Sequence, residues 1–507
     1  MGKRKLLALG CTAVMACTAL FGGTITAHAE STGSHLNAAL YWFGGSLDPH
    51  ADWDGWTTCR AGVTETLVTV NENYEIVPLL SDTWEQTDDC TWKMHIRDGV
   101  TFQNGKPVDG EAVKKSFERA MEIQDRAVTA AKIDSIEADG QYVIFTTTEP
   151  FGAFLANISE PMYSVIDVDA DTDNASAPVA TGPYMVTDFE VNTSIELEKY
   201  DGYWNGAPEI DTITVKNIED DSTRGMALQS GEMDIVQRVA WTDIPTFEND
   251  DRFDVYDTQG ARIRILVFNF NNPVLQDLNV RKAIMECIDY DSLTAVLGSG
   301  VSRSGVPYPA SAPYGYDELD KQAYDAEDAK ACLEEAGYAD SDGNGYVEKD
   351  GEELVLTITY DNTGYTTMLE AVQDMAKQVG IHLELKLMDS ISDAEENRDY
   401  DILATNWQVL STGDPQWFLD SLYKTSCNYS DYSNAELDEV IEQLAQTFDL
   451  DGREALTIEA EKILLSDVAS IYLVGENNFV VANNKVQNVI PYPIDYYFID
   501  NGLSIGE

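Results

Sequence analysis

Beyond residue 30 the chain has four histidines, His35, His50, His95 and His382, and their settings restrict the chemistry available to it. None stands in HExxH, which would set two imidazoles on one helix face for zinc, and none lies beside a GxSxG nucleophile turn. His95 falls inside a strand-like run and His382 opens another, so both read as structural. There is no phosphate-cradling GxxxxGK[ST] loop and no GxGxxG turn. Zinc peptidase, serine hydrolase and nucleotide-dependent enzyme are thereby set aside. The 89 Asp and Glu residues offer carboxylate pairs everywhere and single out none, so a secreted acidic hydrolase of the glycosidase class stays as the rival from the enzymes.

One stretch has metal-ligand spacing. Asp340, Asp342 and Asn344 stand at the first, third and fifth positions of a calcium-type loop, with Gly345 at the sixth and Glu348 at the ninth. The twelfth position is Gly351, where a bidentate Glu belongs. The stretch is therefore either a structural calcium site or an Asp/Gly-rich hairpin. No other cofactor is called for. Five cysteines, Cys59, Cys90, Cys287, Cys332 and Cys427, lie beyond the leader, so at least one thiol has no partner within the chain. Cys90 sits in the polar turn TDDCTW, and Cys59 with Cys90 is the expected disulfide.

The elements that must position such groups come from a chain of 507 residues, longer than one core usually supports. Residues 1–29, with Lys3-Arg4-Lys5, an apolar run and Ala27-His28-Ala29, read as a secretory signal. Val14-Met15-Ala16-Cys17 also resembles a lipobox, in which Cys17 would carry a lipid anchor. Both readings place the protein outside the cytoplasm, and no later stretch reaches the ~20 apolar residues of a membrane span. A formal charge of −57 repels nucleic acid, whose binding requires Lys and Arg against phosphates.

In TWKMHIRDGVTF the alternation of Trp92, Met94 and Ile96 predicts a strand, and Asp109 is the expected N-cap of a helix whose buried face holds Val113, Phe117, Ala120 and Met121. From 268 the texture is helix-rich. LVLTITY, TTMLEAVQDMAKQVG and IHLELKLM form a β-α-β pattern, which predicts parallel strands in an α/β unit.

TGPYMV followed by YDGYWNGAPEIDTITVKNIEDDSTRGMALQSGEMDIV resembles the signature region of family 5 extracellular solute-binding proteins, the receptors of peptide, nickel and opine ABC importers. Matching blocks run in order: LVTVNENYEIVPLLSDTWEQ, WKMHIRDGVTFQNGKPVDGEAVKKSFERA, FNFNNPVLQDLNVRKAIMECID and YDAEDAKACLEEAGY. The resemblance implies a periplasmic-binding-protein-like α/β fold: two lobes joined by a hinge, with an additional third domain. The expected division is lobe I at 30–66, 181–267 and 486–507, an extra domain at 67–180, and lobe III at 268–485. Tyr203 and Trp204 would pack as core under the junction. The implied function is a monomeric, non-enzymatic receptor that hands its solute to a permease and its ATPase; a solute sensor on the same fold is the alternative.

The resemblance also implies site residues. RAGVTETL and SFERAMEIQDRAV look closest to the nickel and metallophore branch, where an arginine binds chelate carboxylates; that position here is Arg126. A second family arginine falls on Met162, and a histidine ligand falls on Cys427, whose thiolate would suit soft metals. Peptide-binding members hold the ligand ammonium with an Asp shortly after a Trp. In NWQVLSTGDPQWFL the Trp is Trp407, the Asp positions read Leu410-Ser411, and Asp414 follows as the acidic candidate or as a turn and helix start. Trp53 and Trp407 are expected as aromatic cleft walls.

Overall fold

Phe253–Phe268 and Ser470–Asn483 are the two longest strands, and they lie antiparallel along most of their length. From Ile263 onward the first reads IRILVF, buried on both faces, which suits a central strand covered from two sides. The computed structural model describes residues 33–361 and 366–506, so the predicted leader and Cys17 lie outside the described residues.

Around this pair an eleven-stranded mixed sheet assembles. On one side His35–Leu40 pairs in parallel with Thr212–Asn217 and Ile235–Gln237, and the hairpin Tyr184–Glu190/Ser194–Lys199 completes the edge. On the other, Val355–Tyr360 lies parallel to His382–Leu387 and to Ile402–Gln408, with helix Thr366–Gln378 as the crossover. The predicted β-α-β unit is thus present.

The two long strands pass from one core to another. Phe253, Phe479 and Val481 belong to a core shared with Ala39 and Val236. Ile263, Ile265, Val267 and Tyr472 belong to a different one, with Phe418 and Leu437. The change falls at a register shift between Gln259 and Arg262. A Cβ on Gly260 would stand 2.7 Å from the Glu476 carbonyl oxygen, so only glycine fits the crossing. The expected boundaries at 267/268 and 485/486 lie at or beyond the strand ends, whereas the cores change within the strands.

A four-stranded antiparallel sheet, in the order Ser81–Asp88, Thr91–Ile96, Tyr142–Thr147, Ile133–Asp139, carries its own core. Trp92, Met94 and Ile96 face inward. Helix Gly110–Ile123 covers them, capped by the Asp109 side chain, which accepts from the Ala112 amide at 2.9 Å, and it buries Val113, Phe117 and Ala120; Met121 stays only partly covered. The Tyr203 hydroxyl donates to Glu65 Oε1 at 2.7 Å and the Trp204 indole to Oε2 at 3.2 Å, so this aromatic pair sits over a buried carboxyl. Burial pushes the Glu65 carboxyl up to about 7, against the pull of those two donors.

The expected disulfide is absent: Cys59 and Cys90 are both free thiols. Cys59 is buried in helix Asp54–Arg60, where its Sγ donates to the Thr64 carbonyl, while Cys90 is held in the hairpin turn before Thr91–Ile96. Each is fixed by its own element. Among the described residues no helix is long and apolar enough to cross a membrane.

Candidate functional site

Trp53 precedes the helix that begins at Asp54, and the residue is 43% exposed, high for so large an apolar side chain. The Arg126 guanidinium, from helix Asp125–Ala130, lies 3.9 Å from the ring centroid. Arg126 also donates to Glu160 Oε1 at 3.0 Å and to the Asp52 carbonyl at 3.1 Å. Glu160 is held in turn by the Trp56 indole N–H at 3.0 Å and, through Oε2, by the Met162 amide, where it caps the short turn Pro161–Tyr163. One wall is therefore a fixed block of two indoles, a guanidinium and a carboxylate.

The facing wall comes from strand Ile402–Gln408 and helix Gln416–Leu422. Trp407 and Trp417 meet with ring centroids 5.3 Å apart, and the Trp407 indole donates to the Tyr429 hydroxyl at 3.3 Å. Tyr496 packs on Trp56 at 4.9 Å. The space between these groups is a cleft of about 300 Å³, at the lower end of volumes that take a small molecule.

Below the cleft lies a buried charge cluster. Asp495 is approached by Arg238 at 3.0 Å, Arg60 at 3.6 Å and Arg262 at 3.7 Å, and Gln408 donates to it at 3.0 Å. Burial alone would raise the Asp495 carboxyl, but the three guanidiniums hold it well below the usual carboxylate range. Arg264 pairs with Glu476 at 2.6 Å. Arg262, Arg264 and Glu476 come from the two long strands, Asp495 from the C-terminal segment and Arg60 from helix Asp54–Arg60. Arg238 follows directly on strand Ile235–Gln237 and Gln408 ends strand Ile402–Gln408, so the cluster joins the cleft to the place where the cores change.

Of the residues named from sequence, Trp53, Arg126 and Trp407 meet in this cleft, and Met162 lines it too. Asp414 does not. Its carboxylate is clamped by Arg453 at 2.6 Å, and its Oδ1 accepts from the Gln416 amide at the start of the helix; it is a structural ion pair and turn, as the Gly-Asp-Pro alternative held. Cys427 is also outside the cleft: it is exposed in the turn after helix Gln416–Leu422, beside the Ser426 hydroxyl. Sequence reasoning missed Trp56, Glu160, Arg262, Glu395, Trp417 and Tyr496, which line the same space. Trp56 is three residues from Trp53 and Trp417 ten from Trp407, which was a usable signal; nothing marks Glu160 or Glu395 among 89 acids.

Asp340, Asp342 and Glu348 can bring one carboxylate oxygen each within 4.8 Å of one another. Asn344 turns inward on its own loop, accepting from the Tyr346 amide. Asp340 accepts from the amides of Gly343 and Gly345, so the loop also closes on its own backbone.

An aromatic cleft walled by Trp53, Trp56, Trp407 and Trp417 is a space that can enclose a small solute. The chain belongs to the bacterial extracellular solute-binding proteins, family 5: the profile described as "Bacterial extracellular solute-binding proteins, family 5 Middle" matches residues 75–430. The chain is 28% identical over 482 residues to the nickel-binding protein NikA of Staphylococcus aureus, covering 94% of this chain and 95% of that one. The solved nickel ABC transporter structure from Bacillus halodurans is 33% identical with a TM-score of 0.80, over 93% of this chain and all of that one. NikA from Staphylococcus aureus in complex with Ni(L-His)2 is 26% identical with a TM-score of 0.78, at the same coverage. The α/β binding-protein fold implied by the sequence is present, and the rival reading as a secreted hydrolase is set aside by membership in a family of solute receptors.

Proposed function

We propose that the protein is the extracytoplasmic receptor of an ABC importer and that its solute is a peptide, a peptide-like molecule or a metal chelate. The observation that carries this reading is the position of Arg126, spread over Trp53 in a cleft walled by tryptophans. A guanidinium offers carboxylates a planar fork, and indoles offer flat apolar cover. Similarity to proteins named for nickel and for Ni(L-His)2 favours a chelate among these solutes. Enclosure favours whichever arrangement of the cores binds the solute better, and a permease that recognises that arrangement receives the cargo. The thiol of Cys427 has no part in this, because it lies outside the cleft.

Native mass spectrometry of gently purified protein tests the proposal. A co-purifying peptide series or a metal-containing adduct is the expected result; a protein that carries neither and takes up neither overturns it. The same spectra report whether the chain begins at an acylated Cys17 or near Glu30. We also propose that Asp340, Asp342 and Glu348, with Asn344 contributing from the same loop, hold a structural calcium.

A further inference from the structure

Four charged side chains line the cleft among the described residues: Arg126, Glu160, Arg262 and Glu395. Three are engaged. Arg126 and Glu160 pair with each other, and Arg262 stands near Asp495 and bonds to the Asn406 side-chain oxygen. Glu395, on helix Ser392–Asn397, is different: its carboxylate has no hydrogen-bond or ion-pair partner among the described residues.

Glu395 is also partly buried, so water compensates its charge incompletely. Burial raises its carboxyl, and the like charge of Asp361 adds to the effect. Glu395 lines the same cleft as Trp407 and Trp417. Burial and then the Glu395 charge raise the hydroxyls of Tyr400 and Tyr429, and Tyr429 is the acceptor for the Trp407 indole. Arg126 already covers the Trp53 face, whereas no cation is seated over the rings of Trp407 or Trp417 among the described residues. An unpaired carboxylate beside indole faces is the arrangement that receives a positive charge, through Coulomb attraction and the ring quadrupole together.

We propose that Glu395 receives a positively charged group of the solute, so that the cleft selects cationic or zwitterionic solutes over anionic ones. The proposal rests on the reading of this cleft as the solute site. It gives the solute a direction: its cation lies at the Glu395 wall, and any carboxylate it carries lies toward Arg126.

Tryptophan fluorescence tests this with two pairs of opposite net charge, one pair for each proposed solute class. The peptide pair is Ala-Lys-Ala and N-acetyl-Ala-Glu-Ala; the chelate pair is the one-to-one Ni(II)–L-histidine cation and the Ni(II)–EDTA anion. In at least one pair the cationic member should bind roughly tenfold or more tighter. Glu395→Gln, nearly isosteric, should erase that preference, while Glu396→Gln, on the exposed side of the same helix, should keep it. Thermal melts of both variants confirm that they fold. Equal or tighter binding of the anionic members, or a preference that survives in Glu395→Gln, overturns the assignment of Glu395 alone. Silence of all four probes overturns the reading of the cleft as a peptide or chelate site, and this proposal with it.

Discussion

Arg126 sits 3.9 Å from the centroid of the Trp53 ring and at the same time 3.0 Å from a carboxylate oxygen of Glu160. The guanidinium is thus oriented before any solute arrives: its plane is set by the indole and one edge is occupied by Glu160. Little rotamer freedom remains to be lost on binding. Glu160 is far more buried than Arg126, so the carboxylate end of the pair is the fixed one.

Arg126→Ala should therefore weaken binding of a carboxylate-bearing solute by about 2 to 5 kcal/mol. Arg126→Lys should recover only part, because an ammonium cannot both stack on Trp53 and fork a carboxylate. Calorimetric titration with the co-purified solute measures both. Unchanged affinity in Arg126→Ala would remove the residue from the site.

Asp414→Ala should act on stability instead. Arg453 is nearly buried and would lose its bidentate partner, a loss of about 3 to 5 kcal/mol for a broken buried pair. A denaturant melt should shift strongly while the affinity of the protein that remains folded stays the same. A variant with wild-type stability and lost binding would return Asp414 to the cleft.

Two buried groups set opposing pH slopes. His50, fully buried between the Ser164 carbonyl and Arg119, has its pKa pushed down to about 4 by burial. Its unfolded value is higher, so the stability that it contributes is complete above about pH 6.5 and is lost as pH falls toward 4. Glu65, raised by burial to about 7, does the reverse: its contribution is complete below the unfolded carboxyl value of roughly 4.3 and is lost as pH rises through 7. Glu65→Gln should raise the melting temperature at pH 8 and leave it nearly unchanged at pH 4. Equal shifts at both pH values would show that the carboxyl is not held protonated.

Thiol chemistry separates the five cysteines. Cys427 is exposed and should react with Ellman's reagent within the mixing phase, whereas Cys59 and Cys287 are buried with thiols pushed up to about 12 and should react only after unfolding. The intact mass should not change on reduction. Cys427→Ser should leave solute affinity within about 0.5 kcal/mol of wild type, the usual range for a surface change. A gain of two mass units on reduction, with Cys59 and Cys90 then newly alkylated, would restore the disulfide between them.

Calcium should raise the melting temperature and EGTA should lower it, with Glu348→Gln abolishing the difference. Identical melts in both solutions would leave the 340–348 loop as a hairpin held by its own Asx bonds.

What the sequence by itself determined was local or carried by ordered motifs. The Asp109 cap, the Trp92, Met94 and Ile96 face and the β-α-β unit from 355 to 387 follow from spacing, because helix and strand periods fix which side chains share a face. The family blocks gave the fold class and the receptor reading. The choice among similar residues at long range was decided only by tertiary structure. Nothing near Glu160 in the chain distinguishes it from other acids; it becomes a cleft residue because Trp56 and Arg126 converge on it from two separate segments while its own turn holds it through the Met162 amide. Asp414 and Cys427 lie in segments that reach the cleft region, yet one turns to Arg453 and the other to solvent. The core change at Gly260 depends on Glu476, a residue from the far end of the chain. Spacing along a chain fixes neighbours within an element, whereas a site made across elements depends on where separate cores bring them.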